Sequence, residues 1–301
     1  MKIRYIKLGK GGCWEKSCIE EDNTIRFGYE GKHEECLRGN WEVVKEYWLS
    51  NRNDLSAATR DTNQIKDFYE LSEDDIWITF YKRKMYWCRA GKEVIQLEDD
   101  TRIRKVIGSW SCNDVKGNGL TIENIDGRVT QVQGFRGTIC SINLPEYVLR
   151  KINAESQTEV TEAQENLERL KVSLASLING LWWKDFELLL DLIFAKSGWQ
   201  RVSVLGKTEK DIDLDLYSPI TNRKAFVQIK SSTNISEIKS CIDAYKSHDQ
   251  YNEMYMAFHT VNGDIRLIEE TDSSVHLLDI SKISELVIHT GLINWLITKR
   301  T

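Results

Sequence analysis

The C-terminal half of the sequence contains polar side chains whose types and spacing suit the binding of a metal ion. Segment 224–230 is an apolar run interrupted by Gln228 and Lys230, which lie two positions apart. On a β-strand, residues two apart project from the same face, so an amide and an ammonium would point the same way. Segment 211–216, just upstream, alternates aspartate with aliphatic residues. If the two segments pair as neighbouring strands, carboxylates lie beside Gln228 and Lys230, which predicts a metal site with an adjacent lysine.

An ion pair on an edge strand is the ordinary explanation for a lysine near aspartates. Lys230 fits this explanation poorly, because it closes a run that is otherwise mostly apolar, and lysine is costly to bury without a partner. The acidic segment also precedes Lys230 at a distance typical of a hairpin. We therefore favour a functional site at these two segments.

Four short motifs follow one another in this half of the chain. They are Phe186-Glu187, Gly198-Trp199, Ile212-Asp213 and Gln228-Ile229-Lys230. With these motifs, the region from about 181 to 260 resembles the PD-(D/E)xK nuclease superfamily, and specifically its Mrr-like restriction endonuclease branch. In that branch, glutamine commonly occupies the position of the middle acidic residue of the motif. The sequence Gln-Ile-Lys is therefore the expected form.

The turn before the aspartates departs from the family pattern. A glycine-rich turn often precedes the metal-binding aspartate in this branch, whereas here the turn reads Glu209-Lys210-Asp211. The metal ligand can therefore be Asp211, Asp213 or Asp215, of which Asp213 matches the motif best. Polar residues that flank the site are candidate phosphate contacts, although polar loops near any strand end have this composition. They are Lys207, Lys210, Ser231, Ser232 and Asn234.

The resemblance implies hydrolysis of phosphodiesters assisted by a metal ion. A divalent cation can activate water, relieve charge on the phosphoryl oxygens and stabilise the leaving alkoxide. The implied ligands of Mg²⁺ (or Mn²⁺) are Asp213, the side-chain oxygen of Gln228 and the main-chain carbonyl of Ile229. Lys230 would orient or help to deprotonate the attacking water. Glu187 would reach the metal through a water, or else would lie at the edge of an apolar helix face and reach solvent.

Hydrophobic periodicity predicts the elements around these residues. Their order, αβββαβ, is that of the common core of the nuclease superfamily, so the resemblance implies an α/β nuclease core with a mixed central sheet. The helix at about 182–197 is apolar almost all round, which is typical of a buried helix. It is preceded by a helix at about 159–179. The other elements are strands near 199–205, 211–217, 224–230 and 254–259, a helix at about 235–247, and closing helices near 283–288 and 292–297.

The sequence of the N-terminal half predicts a mixed α+β domain. Segments 75–81 and 85–88 form a strong hairpin signal around a basic turn. Helices are predicted at 40–49 and 54–71, and strands at 3–8, 24–27 and 102–107. Glycines then divide the chain into short segments, and the predicted sheet closes on itself as a partly closed β-barrel.

The order of these elements loosely resembles the PUA-like group that includes EVE and YTH domains. That resemblance implies an aromatic cage that holds a modified or flipped base. Trp14 follows a glycine-rich turn and Trp110 lies in a Gly-Ser-Trp-Ser segment, so these two residues are the candidate cage walls. Tryptophans at helical spacing, such as Trp41 and Trp48, are more often core residues.

These patterns predict two domains joined by a connecting segment. Residues 1–150 are expected to form the recognition domain, 151–180 a linker and bridging helix, and 181–301 the nuclease domain. The segment 145–160 loses apolar periodicity, which is typical of a domain junction. The chain has 41 Lys and Arg against 46 Asp and Glu, a net charge of −5. This charge argues against a sequence-blind phosphate binder.

Cysteine usage and hydropathy indicate a cytoplasmic protein without a membrane segment. The seven cysteines are irregularly spaced, which favours reduced thiols over a disulfide framework. A zinc site at Cys13, Cys18, His33 and Cys36 is an alternative, but the spacings lie slightly outside the usual range. No segment reaches the ~20 apolar residues that a membrane span needs, and the start lacks the apolar block of a signal peptide.

These observations lead to a primary hypothesis and two alternatives. The primary hypothesis is a Mg²⁺-dependent DNA endonuclease that restricts modified DNA in phage defence. Its N-terminal domain would read a modified or flipped base, and a homodimer would cut both strands of a duplex. One alternative is a nucleic-acid-binding protein whose nuclease-like domain is inactive, because glutamine is a weak metal ligand. The other is a nuclease switched on by an RNA or nucleotide signal.

Overall fold

The computed structural model describes residues 1–202, 213–265, 268 and 273–301. The chain divides into two compact units, Met1–Gln157 and Thr158–Thr301, here called unit 1 and unit 2. The candidate ligand Asp211 and the candidate phosphate contacts Lys207 and Lys210 lie outside the described residues. Among the helices of the described part, none is long and apolar enough to cross a membrane.

Unit 1 combines helices with a mixed sheet. Its helices are α1 (His33–Arg38), α2 (Trp41–Arg52), α3 (Leu55–Glu70), α4 (Gly127–Thr130) and α5 (Pro145–Ile152). Its strands are β1 (Ile3–Ile6), β2 (Thr24–Phe27), β3 (Ile76–Tyr81), β4 (Lys84–Ala90), β5 (Ile95–Gln96), β6 (Arg102–Ser111) and β7 (Ile139–Ser141). The predicted strand at 24–27, the helix at 54–71 and the hairpin are confirmed.

The strands of unit 1 form one curled, half-barrel sheet. Its order is β2-β6-β4-β3-β1-β7, and β5 pairs with β6. Lys82 and Arg83 join β3 to β4 with φ values of 47° and 60°. Positive φ at both central residues is what a two-residue hairpin turn requires. The resemblance of this unit to PUA-like domains stays a prediction.

Segment 145–160 was predicted to be the domain junction, and the division between the units after Gln157 lies within it, but its first part forms helix α5. Pro145 starts α5, where its fixed φ and missing N–H cost the helix nothing. Val148 and Ile152 of α5 are buried in the core that contains Ile76 and Ile78 of β3. Helix α5 therefore belongs to unit 1, and the predicted boundary at residue 150 falls inside it.

Unit 2 has a mixed sheet between helices. Its helices are α6 (Thr158–Asn179), α7 (Trp183–Lys196), α8 (Ile235–Lys246), α9 (Ile280–His289) and α10 (Ile293–Arg300). Its strands are β8 (Gln200–Arg201), β9 (Leu214–Ser218), β10 (Arg223–Asn234), β11 (Glu253–Asn262) and β12 (Val275–Leu278). The predicted order of helix, three strands, helix and strand is confirmed, although parts of segments 199–205 and 211–217 lie outside the described residues.

Strand β10 is the centre of the unit 2 sheet. The described strands have the order β12-β11-β10-β9-β8, with β10 antiparallel to β9 and parallel to β11. Alternation along β10 divides its side chains between two cores. Val227 and Ile229 pack with Phe186 of α7. Phe226 lies on the other face and packs with Ile238 of α8.

Helix α7 is not buried on all sides, contrary to the expectation from its composition. Phe186, Leu189 and Leu190 are buried, whereas Leu188 is 41% exposed and Trp183 is 49% exposed. An apolar residue on a surface helix is common, because a protein lacks enough polar surface to cover itself. Composition alone therefore overstated how deeply α7 is buried.

Candidate active site

Pairing between β9 and β10 positions the predicted metal site. Leu214 of β9 is the register partner of Val227 in β10. The preceding residue, Asp213, stays bound to β10, because its N–H donates to the carbonyl oxygen of Val227 at 3.0 Å. Its side chain reaches the next two residues of that strand, Gln228 and Ile229.

The Asp213 carboxylate accepts two short hydrogen bonds from β10. Its Oδ2 accepts from Nε2 of Gln228 at 2.6 Å and from the main-chain N–H of Ile229 at 2.6 Å. Within the described residues both bonds go to Oδ2 and none goes to Oδ1. The carboxylate is thus held in one orientation, with one oxygen left to bind a cation.

The charge of the Asp213 carboxylate is only partly compensated. Burial raises its pKa above the ordinary range, while the hydrogen bond from the Ile229 N–H and the positive charge of Lys230 oppose that rise. A buried carboxylate with a raised pKa gains much from a bound cation, since the cation favours the ionised form. This electrostatic state suits a metal ligand.

The other predicted ligands fit a hard divalent cation. Because Nε2 of Gln228 donates to Asp213, the amide oxygen Oε1 is the atom of this side chain that remains an acceptor. The N–H and C=O of one residue in an extended strand point to the same side. The Ile229 carbonyl therefore lies on the Asp213 side of β10, as its N–H does. These oxygens are the kind of ligand that Mg²⁺ and Mn²⁺ prefer.

Lys230 and Glu187 complete the charged surroundings of Asp213. Lys230 is exposed and follows the buried Gln228 on the same face of β10. Glu187 is half-buried on α7. Burial raises its pKa, and the charge of Asp213 raises it further, while Arg201, Lys184 and Lys230 lower it. Glu187 thus lies in the electrostatic field of the same site, where it can accept or hold a proton.

A cavity of about 410 Å³ opens beside Gln228 and Lys230. Strand β10 and helix α8 form its walls. The cavity is lined by Gln228, Lys230, Ser232, Ser236, Glu237, Ser240, Cys241, Ala244 and Met256. Small hydroxyl side chains and one ammonium make a surface that can accept a phosphodiester strand.

The remaining candidates near the site have different positions. Ser232 lines the cavity, and Ser231 is half-buried in β10. Asn234 has a structural task, because its Oδ1 accepts from the N–H of Glu237 at 3.0 Å and so caps α8. It is therefore not assigned to phosphate. Asp215 is the register partner of Phe226, which lies two residues from Gln228 along β10, whereas Asp213 bonds to Gln228 directly, so the geometry favours Asp213 over Asp215 as the ligand.

Sequence reasoning missed an aromatic pair at the N-terminus of α7. Trp182 is 58% exposed and Trp183 is 49% exposed, and their rings form an edge-to-face pair 5.7 Å apart. The ammonium of Lys184 lies 5.2 Å from both ring centroids. Glu187 lies one helical turn away on α7. The adjacent sequence Trp-Trp-Lys directly before Phe186-Glu187 was the signal that could have found this pair.

The two predicted cage walls in unit 1 differ in accessibility. Trp110 is 8% exposed, belongs to the apolar core, and donates its indole N–H to the carbonyl of Thr24 at 3.0 Å. A ring held in this way has no open face for a base, so we no longer assign Trp110 to a cage. Trp14 is half-buried, and the guanidinium of Arg26 lies 4.4 Å from its ring centroid. Its role as a cage wall stays a prediction.

The three cysteines and the histidine of the zinc alternative lie in different environments. Cys18 and Cys36 are buried in the apolar core, whereas Cys13 is exposed. His33 pairs through Nδ1 with the Tyr69 hydroxyl at 2.7 Å. Within the described residues, no group of three or more His, Cys, Asp and Glu side chains is placed to hold a metal.

Of the comparisons with known proteins, the match to a family model agrees with the geometry of unit 2. No curated protein matches the chain. One matching solved structure, titled "DNA modification-dependent restriction endonuclease AspBHI", is 10% identical, and the match covers 92% of this chain and 79% of that chain with a TM-score of 0.29. That score is too low to indicate a shared fold. Residues 178–287 match the family Mrr_cat, described as restriction endonuclease. This region of the chain is therefore a restriction endonuclease domain of the Mrr-like type, a nuclease domain that acts on DNA.

Proposed function

We propose that this protein is a divalent-metal-dependent DNA endonuclease that cuts modified DNA, and that it acts in defence against phage. The observation that carries the proposal is the convergence of Asp213, Gln228 and Ile229 through two hydrogen bonds of 2.6 Å, with Lys230 adjacent. Carboxylates whose pKa is raised by burial beside a specific charged partner are common at functional sites. Mg²⁺ or Mn²⁺ at these oxygens would activate water and relieve phosphoryl charge.

Each residue of the site has a separate task. Asp213 Oδ1, Gln228 Oε1 and the Ile229 carbonyl hold the cation. Lys230 orients the attacking water and offsets the negative charge that develops on the phosphoryl group. Glu187, with a raised pKa, takes up a proton near neutral pH more readily than an exposed carboxylate does.

Modification dependence is assigned to unit 1, and duplex cleavage to two copies of the chain. Unit 1 resembles PUA-like domains in its order of elements, and its sheet is curled as that resemblance predicts. Recognition of a flipped base requires a pocket that the base can enter from outside the duplex. A single site cuts one strand, so a homodimer is expected on duplex DNA.

The test is cleavage of supercoiled plasmids with and without modified cytosine or adenine, in the presence of Mg²⁺ or Mn²⁺. We expect faster nicking of one modified plasmid by the wild-type protein and a loss of at least ~100-fold in Lys230→Ala. Lys224→Ala is the matched control, because Lys224 is exposed on the same strand and the same face, six residues away. Its activity should equal that of the wild type.

Two results would refute different parts of the proposal. Equal cutting of modified and plain plasmids would refute modification dependence but leave the nuclease. Undiminished cutting by Lys230→Ala would refute the assigned site. If neither protein cuts any plasmid yet both bind DNA, the alternative of an inactive nuclease-like domain is favoured, in keeping with the uncharged ligand Gln228.

A further inference from the structure

Unit 1 contains a cavity of about 650 Å³ between α3, the edge strand β7 and the loop that precedes β7. We call it the α3–β7 cavity. Its lining is Tyr29, Arg52, Ala57, Arg60, Asp61, Asn63, Gln64, Asp67, Phe135, Arg136, Gly137, Ile139, Cys140 and Ser141. The volume lies within the range of pockets that enclose small organic ligands. Neither Trp14 nor Trp110 lines it.

Strand β7 presents main-chain donors and acceptors to this cavity. It is an edge strand, antiparallel to β1, with Tyr5 opposite Cys140. The N–H of Lys7 donates to the carbonyl of Thr138, so Thr138 and Cys140 face β1. Alternation then turns the main-chain groups of Ile139 and Ser141 away from β1. Because the Ile139 N–H already donates to Gln64, the edge offers a heterocyclic base the carbonyl of Ile139 and the N–H and carbonyl of Ser141.

A fixed hydrogen-bond network built on Gln64 joins α3 to the edge strand. Its Oε1 accepts from the N–H groups of Thr138 and Ile139 at 2.7 and 2.9 Å, which ties the loop to α3. Its Nε2 reaches the Tyr29 hydroxyl at 3.3 Å. Tyr29 donates to Asp61 at 2.8 Å. The network is made before any ligand arrives, so the cavity is pre-organised.

Two aromatic rings border the cavity. The Tyr29 ring is stacked on Phe27 at 4.9 Å, which fixes its plane. Phe135 is half-buried in the loop before β7. A Cβ at Gly137 would lie 2.5 Å from the Phe135 ring and 2.7 Å from Gln64 Oε1, so the absent side chain is what lets the ring lie against the network. Aromatic faces in such a pocket favour a flat ligand.

The rim of the cavity is positively charged. Arg60 and Arg136 are exposed and make no ion pair within the described residues, whereas Arg52 is neutralised by Asp61 at 2.8 Å. Unpaired guanidinium groups beside an aromatic pocket suit a phosphorylated ligand. The cavity thus combines a flat apolar surface, a main-chain edge and two phosphate-binding groups.

We propose that the α3–β7 cavity binds a single nucleotide turned out of DNA, with its base against Phe135 and the edge of β7 and its phosphates at Arg60 and Arg136. This inference rests on the proposed function, in that it assigns the base-reading step of unit 1 to a particular cavity. Burial raises the pKa of the Cys140 thiol in the cavity wall to about 11, so this thiol is protonated at neutral pH.

The test is the binding of short fluorescein-labelled single-stranded oligonucleotides, each with one plain or modified base, to the full chain without divalent metal. Phe135→Ala should weaken binding about tenfold with the salt dependence unchanged, because it removes stacking and no charge. Arg60→Ala and Arg136→Ala should each reduce the slope of log K against log salt by about 0.7, the value for one phosphate of a single strand.

Arg38→Ala is the charge-matched control, because Arg38 is exposed on α1 and ion-paired with Glu34 and Glu35. Its salt slope should equal that of the wild type. Arg60 and Arg136 lie at the surface, so their variants should fold even if Phe135→Ala does not. Thermal melting of each variant checks this point.

The possible results of this experiment test the cavity assignment separately from the reading of modified bases. If the wild type prefers a modified base and the three cavity variants keep its affinity and slope, the cavity assignment is overturned while modified-base reading stands. If the wild type binds plain and modified bases equally but the cavity variants lose affinity or slope as predicted, the cavity assignment holds and modification dependence fails.

Discussion

At the scale of single residues, the chemistry of the site depends on how the Asp213 carboxylate is surrounded. Two donors hold Oδ2, and burial raises the pKa of the group. The ionised form is therefore less stable in the folded protein than in the unfolded chain. Such a group costs folding stability unless a cation binds, which is the state expected of a metal ligand before it is loaded.

The replacement Asp213→Asn tests this electrostatic cost. The asparagine oxygen can still accept from Gln228 and the Ile229 N–H, but the buried charge is gone. Because the folded-state pKa of Asp213 is raised, the wild type loses stability as pH rises from the unfolded to the folded pKa value. We expect metal-free Asp213→Asn to melt above the wild type at pH 7, with a difference that shrinks as pH falls through this window.

Differential scanning calorimetry at several pH values, with Asp243→Asn on the exposed face of α8 as the control, measures this effect. Addition of Mn²⁺ should raise the melting temperature of the wild type and leave that of Asp213→Asn unchanged. A variant that melts well below the wild type at every pH would show that the Asp213 charge stabilises the fold, which contradicts the role of an uncompensated ligand.

Residue-scale prediction from sequence succeeded where strand alternation alone decided the position. Gln228 and Lys230 share a face of β10 because they are two apart, and pairing of β9 with β10 brings Asp213 within hydrogen-bond distance of Gln228. Trp110 was placed wrongly, because a flanking glycine indicates a turn but says nothing about burial. Its indole N–H is satisfied by Thr24, a contact 86 residues away that no local pattern encodes.

At the scale of elements, helix α7 brings two features to the candidate nuclease site. Its buried side anchors the helix through Phe186 and Leu190. Its N-terminal turn exposes Trp182 and Trp183, with the Lys184 ammonium 5.2 Å from both ring centroids. Exposed aromatic rings with a nearby ammonium are suited to stacking on bases and to contact with the DNA backbone. This aromatic surface is one helical turn from Glu187 and therefore lies beside the candidate metal site.

Truncation of the aromatic pair should weaken DNA binding without unfolding the domain. Each of Trp182→Ala and Trp183→Ala is expected to reduce affinity about fivefold to tenfold, the loss of one stacking contact. Leu188→Ala is the control, because Leu188 is an exposed apolar residue of the same helix, 41% accessible. Fluorescence anisotropy with labelled duplex DNA measures the affinities. Wild-type affinity in both variants would exclude this surface from DNA contact.

The observed element boundaries show which local sequence signals were sufficient to predict a helix. The helix predicted at 182–197 is observed at Trp183–Lys196, because a long apolar run closed by Gly198 is unambiguous. Helix α5 was missed, because its short apolar pattern lies in a segment rich in polar residues. Pro145 at its first position was the start signal that the interpretation as a junction overlooked.

At the scale of the whole molecule, the chain consists of two units, each with its own apolar cores. In unit 1 these cores are centred on Phe68 with Trp77 and on Ile76 with Val148. In unit 2 they contain Phe186 on one face of the sheet and Phe226 on the other. Units of 157 and 144 residues with such cores are large enough to fold alone.

Separation of the chain after Gln157 should therefore give two folded fragments. We expect each to melt cooperatively, fragment 158–301 to cut DNA with metal and without preference for modified bases, and fragment 1–157 to bind modified oligonucleotides without cutting. Circular dichroism melts and plasmid nicking measure these properties. A preference for modified DNA retained by fragment 158–301 would contradict the assignment of base reading to unit 1.

The most direct test of the central claim is an anomalous difference map from a crystal soaked in Mn²⁺. The account predicts a peak about 2.0–2.4 Å from the Asp213 carboxylate, the Gln228 side-chain oxygen and the Ile229 carbonyl oxygen, with Lys230 nearby. A peak that lies elsewhere in unit 2, with Asp213 and Lys230 facing away from each other, would contradict the assigned nuclease centre.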